Sequence, residues 1–147
     1  MRGEERDDRI TLEELRYISV FQELTGVTVY RCLVDEEFNR LIFLVGRGEA
    51  GRAIGRNGAK VRALKEILGK DIEVVEYSED LKEMVKNLFP GVRIRSIQIS
   101  KRGGGVMVRL SVEEADKGVA IGRNGRNVKR ARLVLSRLFG VERVVIR

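Results

Sequence analysis

A hexapeptide that occurs twice constrains the fold more than any other feature of this 147-residue chain. The sequence Ala-Ile-Gly-Arg-Asn-Gly begins at Ala53 and recurs, without change, from Ala120, 67 residues later. At the same offset Val45 aligns with Val112, and the alignment needs no gap between these valines and the hexapeptides that follow them. Self-similarity of this kind in so short a chain indicates two copies of one structural unit.

The first copy has the pattern of a helix followed by a hairpin. Thr11 is a typical N-cap, and Glu14 three residues later predicts a reciprocal capping box. Apolar residues then recur at helical spacing until Gly26, which suits a left-handed helix end. The β-branched and aromatic stretch 27–34 and the apolar stretch 39–45 predict two strands joined by an acidic turn.

The second copy repeats this order with different turn chemistry. Ser78 is the predicted cap of its first helix, and Pro90-Gly91 is the predicted stop. Strands are predicted over 92–100 and 106–112. The glycine-rich segment 101–105 between them is either a mobile basic flap or an ordinary flexible loop.

Each hairpin is followed by a short helical stretch, the Gly-Arg-Asn-Gly turn, a longer helix and a closing strand. The closing strands are predicted over 72–77 and 142–146, and the order in each copy is αββααβ. The predicted organisation is therefore a charged N-terminal tail over 1–10, a first domain over 11–77 and a second domain over 78–147.

The chemistry of the repeated turn favours contact with a phosphate backbone. Two glycines permit a tight reversal between helices and leave no side chain to block a close approach. The N–H groups of the following helix point toward the turn, where they favour an anion. Arg56 and Arg123 add a guanidinium, and Asn57 and Asn124 tolerate the left-handed region. The alternative is that the turn only reverses the chain.

In this setting the repeat resembles the type II KH domain, with Ile-Gly-x-x-Gly between the two central helices. The resemblance implies an α+β (α/β) fold of two tandem type II KH domains, each αββααβ with a three-stranded sheet packed by helices on one face. It also implies that each loop binds the backbone of about four unpaired nucleotides.

Tandem KH modules with both loops intact resemble the archaeal NusA-like transcription termination and antitermination factors, and the length suggests the short form of two KH domains. This resemblance implies single-stranded RNA as the ligand, with RNA polymerase or the elongation complex as a second partner. A ribosome-associated or RNA-processing role, or a protein-binding adaptor for RNA polymerase, remains the alternative.

The candidate RNA-binding residues are the two loops, the isoleucine before each loop and nearby cations. They are Ile54, Gly55, Arg56, Asn57, Gly58, Lys60 and Arg62 in the first copy, and Ile121, Gly122, Arg123, Asn124, Gly125, Arg126, Lys129 and Arg130 in the second. The last three and Arg137 share one helical face, which predicts a basic wall for phosphates. Because aromatic residues make up only 5%, we do not expect bases to be read by stacking platforms.

Charge is distributed unequally between the two copies. The net charge is +7, which favours a polyanionic partner. Residues 1–77 contain 13 Lys and Arg against 15 Asp and Glu, a net charge of −2. Residues 78–147 contain 16 against 7, a net charge of +9. We therefore expect the second domain to supply more of the salt-dependent affinity.

Other classes of function lack the residues they require. Cys32 is the single cysteine and there is no histidine, so neither an internal disulfide nor a Cys/His metal cluster is expected. Gly58 and Gly125 are not followed by the Lys-Ser/Thr of a nucleotide-binding P-loop. We expect no enzyme activity, no cofactor and no metal. With no signal peptide or membrane-length apolar run visible, a cytoplasmic location is expected.

Overall fold

The computed structural model describes residues 9–147, apart from the side chain of Arg102. These residues form two compact units, Arg9–Glu79 and Asp80–Arg147. Of the charged tail predicted over 1–10, all but Arg9 and Ile10 lies outside the described residues.

Each unit contains three helices and three strands in the order αββααβ, which confirms the predicted fold class. The first unit consists of α1 (Leu12–Thr25), β1 (Val29–Asp35), β2 (Arg40–Val45), α2 (Ala50–Ile54), α3 (Ala59–Leu68) and β3 (Asp71–Glu76). The second consists of α4 (Leu81–Asn87), β4 (Ile94–Arg102), β5 (Gly105–Val112), α5 (Lys117–Ile121), α6 (Arg126–Phe139) and β6 (Val141–Ile146). Within residues 9–147, no helix has the length and apolar character needed to span a membrane.

The two sheets have the same topology. β1 pairs antiparallel with β2, and β3 returns through two helices to lie parallel to β2 on its other side. β4, β5 and β6 repeat this arrangement. Parallel neighbours need a long crossover connection, and the pair of helices around each Gly-Arg-Asn-Gly turn provides it. The topology therefore places each turn within the crossover.

The core of the first unit lies between α1, α3 and the sheet. Phe21 of α1 stacks on Phe43 of β2 with ring centroids 4.2 Å apart. Leu64 of α3 and Cys32 of β1 belong to the same buried cluster. The central strand β2 is buried along its whole length, which explains why its sequence is a continuous apolar run rather than an alternating pattern.

The predicted capping box of α1 is half right. The Thr11 hydroxyl accepts a hydrogen bond from the Glu14 amide at 3.0 Å, and Gly26 ends the helix in the left-handed region as expected. The Glu14 carboxylate, however, does not return to the cap. It accepts hydrogen bonds from Arg31 Nε at 2.6 Å and from the Cys32 amide at 3.0 Å, because it faces β1 rather than solvent.

The predicted cap of the second unit's first helix is wrong by two residues. α4 begins at Leu81, and its N-cap is Asp80 rather than Ser78. The Asp80 carboxylate accepts a hydrogen bond from the Glu83 amide at 3.0 Å. Aspartate and serine cap equally well, so the sequence alone did not distinguish these neighbouring candidates.

The segment 101–105 lies within a tight β-hairpin. β4 and β5 pair as far as Arg102 and Gly105, and only Gly103 and Gly104 remain as the turn. Both turn residues have positive φ, 58° and 86°, as in the two-residue turns that match the twist of antiparallel strands. The strands therefore extend through most of the predicted loop.

Candidate nucleic-acid interface

The backbone of the Gly-Arg-Asn-Gly turn is nearly identical in the two units. Gly55 has φ 84° and ψ 170°, and Gly122 has φ 82° and ψ 168°, a region that only glycine occupies readily. Asn57 and Asn124 are left-handed, with φ of 54° and 58°. In each turn the N–H of the last glycine donates to the carbonyl of the first at 3.1 Å. The predicted tight turn and the left-handed conformation of its asparagines are therefore confirmed.

The first glycine of each turn lies against the next helix. A Cβ on Gly55 would lie 3.0 Å from the Lys60 backbone nitrogen, and one on Gly122 would lie 2.9 Å from that of Asn127. Neither backbone atom can move aside without disturbing its helix. Glycine at this position is thus required both by its positive φ and by the close packing of the chain.

The middle of each turn is open to solvent. Arg56, Asn57, Arg123 and Asn124 are all exposed. Within residues 9–147, the two arginine side chains make no hydrogen bond or ion pair. α3 and α6 start directly behind the turns, and no side chain caps their first N–H groups. Each turn therefore presents a guanidinium and a helix start to an approaching anion.

The residues just before each turn divide between core and surface. Ala53 and Ala120 are fully buried, whereas Ile54 and Ile121 remain 36% and 40% exposed. The partial exposure gives each isoleucine an apolar surface beside the turn, while the alanine joins the core.

The cations predicted beside the first turn are tied to the protein itself. Lys60 Nζ donates to the carbonyl oxygens of Thr25 and Arg52 at 3.3 and 3.1 Å. Arg62 donates to the Asn57 carbonyl inside the turn. Both side chains therefore hold the turn and the end of α1 in place, which is a different role from a freely exposed phosphate ligand.

The predicted basic wall of the second unit is partly buried. Val128, Ala131 and Leu135 face the core as the helical period predicts. The cations of the other face, however, are only partly exposed and each makes contacts within the protein; they are Arg126, Lys129, Arg130 and Arg137. Arg130 donates to the Leu88 carbonyl at the end of α4 at 3.0 Å.

Asn127 supports the second turn, and it is absent from the residues that the sequence predicted. Its side-chain amide donates to the Val119 carbonyl at 2.7 Å, as Lys60 does to Arg52 in the first unit. Asn127 lies 67 positions after Lys60, so the repeat offset pairs the two residues. The signal was present in the alignment, but the change of residue type concealed it.

The arrangement presents groups that can bind a nucleic-acid backbone. Two exposed turns offer backbone N–H groups, guanidinium groups and small apolar surfaces. The described residues contain no group of three or more His, Cys, Asp or Glu that could hold a metal ion. The exposed turns, present in both units, are features of KH-type nucleic-acid-binding domains.

Comparison with known proteins agrees with this class. The KH domain model matches residues 15–104, and the chain belongs to the KH domain family. It is similar to the probable transcription termination protein NusA of Methanococcus vannielii, with 33% identity over 94% of this chain and 79% of that protein. The protein of the same name from Halococcus morrhuae is 35% identical over 91% of this chain and 96% of its own length. The crystal structure of APE1850 is similar with a TM-score of 0.90, 70% identity and coverage of 94% of this chain and 100% of that one.

Proposed function

We propose that this protein binds single-stranded RNA through both Gly-Arg-Asn-Gly turns and acts as a NusA-like transcription termination or antitermination factor. The observation that supports this most strongly is the pair of matched turns, which share their sequence, their backbone dihedrals and their exposure. A turn that only reversed the chain would not need an exposed arginine in both copies.

In the proposed mode of binding, the sugar-phosphate chain runs over each turn. The absence of a side chain on the first glycine lets the RNA backbone approach the peptide, and the helix start behind the turn favours the phosphate. Arg56 and Arg123 bind phosphate oxygens. Ile54 and Ile121 offer an apolar surface to the bases.

Supporting contacts determine which cations act directly. Lys60, Arg62 and Arg130 each donate to a backbone carbonyl, so we assign them to positioning the turn. Arg126 and Lys129, at the start of α6, are proposed to contribute electrostatic attraction near the second turn. The transcriptional role rests on the names of the relatives, which are transcription termination proteins. Contact with RNA polymerase or the elongation complex is proposed as a consequence of that role.

The proposed binding is tested by titrating fluorescein-labelled oligo-cytidine and oligo-uridine into the purified protein at about 50 and 200 mM salt. For a single strand, log affinity falls with log salt at roughly 0.7 per neutralised phosphate, so about three contacts predict a loss of tenfold or more. An adaptor that binds only proteins would give no saturable, salt-dependent RNA binding. That result would contradict the proposal.

A further inference from the structure

We propose that the first unit carries a second element of the RNA site: Tyr30 stacks on a nucleobase whose exocyclic amino group donates a hydrogen bond to Glu49. This inference rests on the proposed RNA-binding function and extends it from the phosphate backbone to the bases. The low aromatic content of the sequence argued against stacking, but it gave no information on which aromatic residues face solvent.

Tyr30 is exposed in a way that a packing role does not explain. It is 55% exposed, whereas Val29 and Arg31 on either side of it in β1 are both buried. Its ring contacts that of Tyr77 at 5.4 Å with an angle of 51° between the planes. Tyr77 thus supports one side of the ring, and the rest remains accessible.

A β-bulge places Tyr30 in this position. Val29 pairs with Val45 and Arg31 pairs with Leu44, so Tyr30 is the additional residue of the bulge. Bulges change the direction of a side chain and are frequent next to functional sites. The orientation of Tyr30 is therefore a consequence of the register between β1 and β2.

The second unit has a bulge at the corresponding place, but its additional residue forms an ion pair with a neighbouring side chain. Ile94 pairs with Val112 and Ser96 with Ser111, which leaves Arg95 as the additional residue. Arg95 forms an ion pair with Glu113 at 3.3 Å. The repeat thus offers an internal comparison: one copy satisfies its bulge residue with a neighbour, whereas the other presents an aromatic ring.

Tyr30 borders a cleft of about 250 Å³ whose other lining residues are Thr28, Gly46, Glu49 and Arg52. This volume is slightly below the roughly 300–1,000 Å³ typical of small-molecule sites, which suits one ring system rather than a whole nucleotide. A Cβ on Gly46 would be in van der Waals contact with the Tyr30 hydroxyl at 3.8 Å and with Glu49 Cγ at 3.7 Å, so a side chain there would occupy part of the cleft.

Glu49 supplies the acceptor. Its Oε1 lies 3.1 Å from Arg52 Nη2 and is shielded from solvent, while the side chain as a whole is 41% exposed. The other carboxylate oxygen, Oε2, is therefore the acceptor that a base can reach. Arg52 is itself fixed, since Nη2 donates to the Gly26 carbonyl at 2.9 Å. A held carboxylate accepts from the amino group of cytosine, adenine or guanine, whereas uracil has no amino group to donate.

The cleft is close to the first turn along the chain. Arg52 precedes Gly55 by three residues, and α2 carries both the cleft and the turn at its end. At 1.5 Å per residue, Arg52 on the rim of the cleft is separated from Gly55 by about 4.5 Å along the helix axis. The cleft and the first turn therefore share one short helix, and we propose that a single strand contacts both.

The test compares affinities for fluorescein-labelled oligo-cytidine by fluorescence anisotropy. Tyr30→Ala should weaken binding at least about fivefold, the lower end of the effect of removing one stacked base, and Tyr30→Phe should stay within about twofold of the unchanged protein. Leu15→Ala, an exposed apolar residue of α1, is the control and should have no effect. Unchanged affinity in Tyr30→Ala, or an equal loss in Tyr30→Phe, would overturn the stacking role.

The role of Glu49 is tested by the preference for oligo-cytidine over oligo-uridine of the same length. Glu49→Gln should reduce this preference at least about threefold, because the amide also donates to uracil O4. An unchanged preference would overturn the assignment of Glu49. Failure of the unchanged protein to bind either RNA would instead contradict the proposed function itself.

A third measurement uses the unchanged protein, so its result does not depend on whether a variant folds. The unchanged protein is irradiated with an RNA that carries 5-iodocytidine, and the attached peptide is identified by mass spectrometry. We expect attachment at Tyr30 or Tyr77. Attachment confined to peptides that contain neither residue would overturn the proposal even if the turns were confirmed as the backbone site.

Discussion

At the scale of single residues, the first glycine of each turn shows how local backbone geometry supports the site. Gly122 has a positive φ, and a Cβ added to it would lie 2.9 Å from the Asn127 backbone nitrogen. Gly118 lies four residues earlier, in α5. A Cβ added to it would have no atom within 4 Å, and its φ is not positive. The two glycines form a matched pair in one short segment.

We expect Gly122→Ala to lower the free energy of unfolding by about 1–3 kcal/mol, because the side chain adds backbone strain and a steric clash. Gly118→Ala should be neutral or stabilising by up to about 1 kcal/mol, since alanine is the better helix former. Urea unfolding followed by circular dichroism measures both. Equal stability of the two variants would show that the turn tolerates a Cβ.

At the scale of elements, the contact between α1 and β1 depends on a buried ion pair. Glu14 is only 3% exposed and accepts hydrogen bonds from both the side chain of Arg31 and the amide of Cys32. Burial, and secondly the charge of Glu14, raise the pKa of the Cys32 thiol. The carboxylate thus connects the first turn of α1 to β1, an edge strand of the sheet.

Glu14→Gln should therefore destabilise the protein by roughly 3–5 kcal/mol, because it leaves Arg31 as a buried charge without its partner. Glu13→Gln, the adjacent and exposed position, should change stability by less than about 0.5 kcal/mol. The comparison again uses urea unfolding. Similar midpoints for the two variants would mean that solvent reaches Arg31.

A second contact between elements makes the stability of the protein depend on pH in the acid range. The Asp116 carboxylate accepts hydrogen bonds from Arg93 Nε at 2.9 Å and from the Arg93 amide at 2.8 Å, which joins the start of β4 to the segment before α5. These hydrogen bonds, together with the positive charge of Arg93, lower the pKa of Asp116 to about 2.

Because the folded-state pKa lies below the ordinary value of about 4, the contribution of Asp116 to stability is complete above about pH 4. It is lost as the pH falls from about 4 toward 2. Carboxyl carbon chemical shifts in an NMR titration should place the Asp116 midpoint near 2. In Arg93→Gln the midpoint should move back toward 4, and a midpoint near 4 in the unchanged protein would contradict the assignment.

At the scale of the whole molecule, two matched turns belong to units of opposite net charge. Residues 78–147 carry the larger positive charge, which adds long-range attraction for RNA at the second turn. In the first unit the neighbouring cations Lys60 and Arg62 are held by backbone carbonyls, and Lys65 pairs with Asp71 at 2.9 Å. Because cations of the second unit also make contacts within the protein, it is the difference in net charge that favours a stronger contribution from the second turn.

Replacing Arg123 and Asn124 together by aspartate should reduce affinity for single-stranded RNA at least tenfold, about 1.4 kcal/mol, without loss of fold. Both positions are exposed, and aspartate tolerates the left-handed region that Asn124 occupies. The same change at Arg56 and Asn57 should cost less. Filter binding at one fixed salt concentration measures the two variants.

Arg132→Asp is the control for net charge, because Arg132 is exposed on α6 but lies outside the turn. It should weaken binding much less than the double change at the second turn. Unchanged affinity in the double variant with an intact circular dichroism spectrum would contradict the assignment of the turn. A larger loss at the first turn would contradict the electrostatic asymmetry.

The sequence by itself determined the αββααβ order, the repeat and the backbone of both turns. These features depend on local chemistry: apolar periodicity, caps and the positive φ that glycine and asparagine accept. Only the tertiary structure decided which cations support the turns, where Glu14 points and that Tyr30 is exposed. Such outcomes depend on partners distant in sequence, 17 residues for Glu14 and Arg31 and 42 for Leu88 and Arg130, and on strand register, which no local pattern specifies.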